Sequence, residues 1–147
     1  MTNVRLPAKD AADLVNLAKN KLADMTTPDT HKHDPALDID NIYVGLVPES
    51  AQDSDAETIV DITEITEEFP EYGSNLPTNR EQRIAINIFY GIEKIDYMDL
   101  IEKEIESVFL LNNWQIIYSQ AHVPDPDTGQ ETKIYQFSRT ISNDFEK

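Results

Sequence analysis

Residues Arg83–Tyr90 give the clearest alternation in the chain. Ile84, Ile86, Ile88 and Tyr90 point one way, while Arg83, Ala85, Asn87 and Phe89 point the other. That two-residue period belongs to a strand with one covered face. Ahead of it, Ile42–Val47 is a short β-type run halted by Pro48, and Thr58–Ile65 is β-branched and partly alternating. Both predict strands. Trp114–His122 and Thr132–Ile141 predict two more, joined across Pro124–Gln130, whose Pro, Asp and Gly residues favour a turn.

Two stretches follow a helical spacing instead. Leu14, Leu17, Ala18, Leu22 and Met25 recur at three- and four-residue steps after Pro7, a residue suited to the first turn of a helix. Asp10 and Asp13 lie near its positive end, Lys19 and Lys21 near its negative end, so a helix runs from Pro7 and ends before Pro28. Ile101, Ile105 and Val108, flanked by Met98 and Leu111, predict a second helix, with Asp96 as its N-cap and Asp99 three residues on. Asn112 and Asn113 end it, because Asn tolerates the left-handed conformation of a C-terminal cap. The order α-β-β-β-α-β-β predicts an α+β domain, an antiparallel or mixed sheet of about five strands with two helices on one face.

Charge and proline content add three loops to this outline. The chain of 147 residues holds 12 basic and 28 acidic residues, a formal net charge of −16. Residues 25–79 carry one base, Lys32, against thirteen acids, and five of the eight prolines. Proline lacks a donor and fixes φ, so acidic loops are expected at 26–40, 48–57 and 66–80. Thr66–Asn79, with Pro70, Gly73 and Pro77, reads as a long mobile connection.

Composition then excludes whole classes of function. A hydrophobic fraction of 39% supports one globular domain over residues 1–147. There is no Cys, which removes disulfides, thiolate metal sites and cysteine nucleophiles. The negative balance disfavours tight binding to nucleic acid or to an anionic membrane. No apolar stretch approaches the roughly 18–20 residues of a membrane span, and the first residues lack a secretory signal. A soluble protein, made in a cytoplasm, is expected.

Candidate chemistry is sparse. Asp29, His31, His33 and Asp34 are metal-type ligands, but they lie in a Pro-flanked loop with nothing to pre-organise them, so a solvated polar loop is the favoured reading. Asp125, Asp127, Gly129 and Glu131 faintly resemble a calcium loop, yet they lie between two strand patterns and lack its twelve-residue frame. A hairpin tip at Asp125, Asp127 and Gly129 is preferred, without a metal. Glu67 and Glu68 have no apolar setting to shift a pKa for acid–base work. No P-loop or G-x-G-x-x-G occurs, and His122, the one His in an ordered segment, has no triad spacing around it. Neither catalytic residues nor a cofactor are expected.

Five segments in order carry a resemblance: Leu6-Pro7 opening an amphipathic helix, the strand Thr58–Ile65, the strand Arg83–Tyr90, Asn112-Asn113-Trp114 after the second helix, and His122-Val-Pro-Asp-Pro-Asp-Thr-Gly-Gln130. The chain resembles the small tail-component proteins of long-tailed phages of Gram-positive bacteria, a domain without assigned function. In size and element order it also resembles their tail terminators, or tail completion proteins. The likeness covers nearly the whole chain, and the last two segments are its most specific part; Glu49–Glu57 and Glu67–Asn79 are longer than it implies.

The resemblance implies a structural virion protein, assembled in the host cytoplasm. It implies a homo-hexameric ring on the head-proximal end of the tail tube, from subunits that are monomers or rings before they meet the tail. Its partners are then further copies of itself, the major tail protein and the head–tail connector protein, with DNA only in passage and neither membrane nor cofactor. Glu67, Glu68 and Glu71 are expected to line or rim the channel, and the hairpin Trp114–Ile141 to offer a strand edge for pairing. Two alternatives stay open: a connector or stopper protein nearer the portal, and an acidic DNA mimic that inhibits a DNA-binding protein. A mimic spaces its carboxylates along a helix or strand, whereas here they are expected in Pro-rich loops.

Overall fold

The computed structural model describes residues 6–27, 30–45, 47, 56–73 and 76–142. Pro7 opens helix α1 (Pro7–Ala23), with Asp10 in its first turn and Lys21 in its last. A short 3₁₀ turn (Pro35–Leu37) leads to strands β1 (Asn41–Val44), β2 (Ile59–Gly73) and β3 (Leu76–Phe89). A 3₁₀ segment (Ile92–Tyr97) enters helix α2 (Met98–Leu110), and β4 (Gln115–Ser119), β5 (Val123–Pro124) and β6 (Glu131–Ser142) complete the chain. The fold is α+β in the expected order, with the two-residue β5 added.

The six strands form one mixed sheet in the order β1-β2-β3-β6-β4, with β5 also on β6. β1 runs parallel to β2, and every other pair is antiparallel. The alternation in β3 holds: Ile84, Ile86, Ile88 and Tyr90 are fully buried, while Arg83, Ala85, Asn87 and Phe89 stay partly open. In register beside them stand Val60 and Ile62 of β2 and Tyr135 and Phe137 of β6, and together they make the apolar face that both helices cover. Phe109 of α2 stacks on Phe137 at 4.4 Å between ring centroids, and Trp114 meets Phe109 edge-on at 5.7 Å.

The helices depart from expectation in two ways. α1 buries Ala8, Ala11, Val15, Ala18 and Leu22, whereas Leu17 is exposed and Leu14 and Met25 are only partly covered. The three alanines let the helix axis come close to its neighbours, so the small-residue face turns inward. In α2, Ile101, Ile105 and Val108 are buried as expected and Phe109 joins them, but Leu111 is 78% exposed. Asp96 is not its N-cap. The chain coils through the 3₁₀ segment first, which places Asp96 inside that turn and leaves Tyr97, with no capping side chain, at the helix start. Asn113 does take the left-handed conformation, with φ of 69°.

The largest correction concerns the loop expected at 66–80. Thr66–Asn79 is not a mobile connection but the outer half of a long hairpin, with β2 and β3 paired from Ile59↔Phe89 out to Gly73↔Leu76. Pro70 falls inside a register shift between Glu68 and Glu71, the kind of irregularity where strands tolerate a missing N–H. The loop at 26–40 is more than solvated chain, since Leu37 and Ile39 are buried in the core. Of the loop at 48–57, residues 48–55 lie outside the described residues, as do Asp29 and Leu46. Among the described residues, no helix is long and apolar enough to cross a membrane.

Candidate assembly interface

Because β6 inserts between β3 and β4, the strand expected to form one arm of a hairpin becomes the outermost strand of the sheet. Among the described residues, nothing pairs with the outward edge of β4. Ile117 and Tyr118 on it are 42% and 46% exposed. From Ser107 to Pro124 the sequence has no Asp, Glu, Lys or Arg, in a chain that is 27% charged. Leu110 and Leu111, both exposed, extend this neutral surface across the end of α2. An open cleft of about 420 Å³ lies there, between Leu110, Trp114, Gln115 and Arg139.

Glu67, Glu68 and Glu71 lie on β2 rather than in a loop, and they are not brought together as one site. Glu67 accepts a hydrogen bond from Gln82 Nε2 at 2.7 Å and pairs with Arg80 at 3.3 Å. Buried Gln82 in turn accepts from Arg139 Nε at 2.8 Å, and Arg139 reaches Asp10 of α1 at 2.8 Å while its guanidinium lies 4.6 Å from the Trp114 ring. A polar line thus ties the acidic arm, the sheet and the first helix. Glu68 stands in register opposite Glu81, which is held by Arg83 at 2.7 Å. That contact raises the Arg83 pKa further above its usual value. Of Glu71 only the backbone, opposite Asn79, is described.

The hairpin tip is where the residues placed it. Asp125 Oδ1 accepts from the backbone N–H of Asp127 at 2.8 Å, the Asp125 carbonyl accepts from Gly129 N–H at 2.8 Å, and Gly129 takes φ of 76°. The carboxylate therefore organises its own turn. Buried Gln130 anchors the tip by donating to the Tyr90 carbonyl at 3.2 Å. In the 26–40 segment, His33 places Nδ1 2.8 Å from the Met25 carbonyl and Nε2 2.7 Å from Asp38 Oδ1. Both partners can accept, which favours the doubly protonated ring: the Met25 carbonyl first, and Asp38 second, raise its pKa. Asp34 caps the 3₁₀ turn through Ala36 N–H, and His31 is exposed. Among the described residues, no three His, Asp or Glu side chains converge as metal ligands.

One polar cluster was not foreseen. Glu102 of α2 is buried and accepts from the Tyr90 hydroxyl and from His122 Nε2, each at 2.6 Å, and Glu106 accepts from the Tyr135 hydroxyl. Burial, then the carboxylate, pushes each phenol well above its ordinary pKa, so both stay protonated donors. The signal was available: Tyr90 on the inward face of β3 needs an acceptor, and Glu102 and Glu106 share a helix face four residues apart. The cluster pins the chain after β4 to α2. Asp61, next to Tyr43 and Asn87 in the register, keeps one buried carboxylate oxygen without a hydrogen-bond partner, and desolvation raises its pKa.

These features define an α+β scaffold with an acidic hairpin arm and an uncharged open edge. Residues 24–142 match the model of a family described as "Protein of unknown function (DUF806)"; this is more than half of the chain, which therefore belongs to that family. No curated protein matches the chain.

Proposed function

We propose that this protein is a structural component of a long-tailed phage. It is the subunit of a ring that caps the head-proximal end of the tail tube and offers a docking face to the head–tail connector. The observation that carries this reading is the exposed, charge-free edge of β4 on a chain of net charge −16. Soluble proteins usually guard such edges with charge, because unpaired N–H and C=O groups recruit another strand. An unguarded edge on an acidic molecule suits a surface that is covered by another subunit in use. The Asn112-Asn113-Trp114 and His122–Gln130 segments, in which the chain resembles small tail-component proteins, and the element order, in which it resembles tail terminators, support an assembly in the virion.

In such a ring the acidic arm rims the channel. DNA is then repelled from the wall and slides through without adhering. Glu67 contributes less to this field, because its charge is offset by Arg80. The same pairing disfavours a DNA mimic. The carboxylates do follow a strand, but Glu67 and Glu81 are compensated by Arg80 and Arg83 and do not present a phosphate-like row.

The test is a phage that lacks this gene. Overlong tails, or tails and heads that stay separate in the electron microscope, are the expected result, and normal virions overturn the reading.

A further inference from the structure

Among the described residues, the edges of this sheet without a neighbouring strand include β1, β4, and β2 beyond Ile62, where the pairing with β1 ends. The three differ in charge. β2 beyond Ile62 carries Glu64, Glu67, Glu68 and Glu71, a strong guard against pairing. Asn41–Val44 and Gln115–Ser119 carry no charged residue at all. Each also holds an apolar side chain that only half completes the core, Ile42 on β1 and Ile116 on β4. Each leaves another in the open, Val44 at 53% and Ile117 at 42%.

We propose that these two edges are partners. β4 of one copy pairs with β1 of the next, antiparallel, so that the sheets of neighbouring copies join into one continuous band. The proposal rests on the ring reading and adds to it the pair of strands that closes the ring.

The direction follows from topology. β1 is parallel to β2, and three successive antiparallel pairings lead from β2 through β3 and β6 to β4. β4 therefore runs opposite to β1, and two copies side by side, neither turned over, bring the strands together antiparallel. Pairing β4 with β4 is isologous and stops at two copies, whereas β4 with β1 is heterologous and repeats until rotation closes it. The lengths agree, with four residues in β1 and five in β4. The register shift between Ile116 and Tyr118 bends β4 locally, which suits a curved band better than a flat one. Half-covered Ile42 and Ile116 become interior when the edges meet. Between two chains of −16, approach is least opposed where neither brings a charge.

The chain has no cysteine, so engineered pairs report cleanly. A disulfide needs Cα atoms about 4.4–6.8 Å apart, which antiparallel neighbours at about 4.5–5.5 Å provide. Double variants combining Val44→Cys with Ile116→Cys, Ile117→Cys or Tyr118→Cys are oxidised mildly, as concentrated protein and in assembled particles. The expected result is a non-reducing ladder that adds one chain per rung, for the pair in register. Mixing the two single variants should give heterodimers only. No ladder from any double variant overturns the proposal, and so does efficient dimerisation of Tyr118→Cys alone, which assigns the edge to a β4–β4 pair. As a second arm, Ile117→Lys in the cross-linking variant, or Tyr118→Lys where Ile117 carries the cysteine, should cut multimer yield at least tenfold without changing the circular dichroism. Undiminished ladders there also overturn it. The two readings fail separately: ladders from the protein with normal virions from the deletion phage refute the tail role, and overlong tails with no ladder refute the strand pairing.

Discussion

At Gly91 the backbone runs so close to the carbonyl of Ala56 that an added Cβ has no room. Its φ of −58° is open to any residue, so the demand is steric and not conformational. Its N–H also donates to Thr58 Oγ1 at 3.1 Å, which fixes the start of β2 against the end of β3. Gly91→Ala must force these segments apart, at an expected loss of about 1–3 kcal/mol in urea unfolding with an unchanged m-value. His33 makes a different demand, because its charged form is the bonded one. Its folded pKa lies above the ordinary 6.5. The stabilisation is therefore complete below the unfolded value and is lost as pH rises through the folded one. The melting temperature of the native chain should exceed that of His33→Ala most at about pH 5.5, and the gap should narrow toward about pH 8. A constant gap would mean that the ring is held neutral.

On the scale of elements, the β2–β3 arm is the place where folding and proposed function pull apart. Glu68 faces Glu81 across the pair, and like charges directly opposite are destabilising. Arg83 is bonded to Glu81 and attracted by Glu68 as well, so Glu68→Lys removes the repulsion and this attraction together and should leave the melting temperature nearly unchanged. The same change should slow DNA delivery in phage carrying it, as a cation at the channel rim would. The arm is also where sequence was hardest to read. β3 announced itself because one buried face imposes a period of two on Ile84–Tyr90. Thr66–Asn79 did not, because Pro70 falls at a register shift and Pro77 near the far end of the pairing, and such prolines among acids read as loop. The spacing of large apolar residues locates helix α1 but not its rotation, which close approach through Ala8, Ala11 and Ala18 sets. Likewise the neutral run Ser107–Pro124 stood in plain sight, but only the insertion of β6 between β3 and β4 makes it an outer edge.

For the whole molecule, charge and interface carry opposite salt dependences. Every copy brings −16, so assembly works against long-range repulsion. The proposed joint between β1 and β4 is made of backbone hydrogen bonds and apolar side chains, which salt does not weaken. Screening shortens the reach of the repulsion from about 10 Å at 0.1 M to about 3 Å at 1 M. Self-association should therefore strengthen with salt, contrary to the behaviour of a protein that binds through ion pairs or to DNA. Sedimentation velocity from about 0.05 M to about 0.5 M sodium chloride tests this, with the weight-average mass expected to rise across the series. Neutralising the exposed arm with Glu64→Gln and Glu68→Gln should raise the mass at low salt and leave the high-salt value unchanged, because the arm contributes repulsion and no part of the joint. A mass that falls with salt would assign the subunit contact to charged groups, and would exclude a joint built from the two neutral edges.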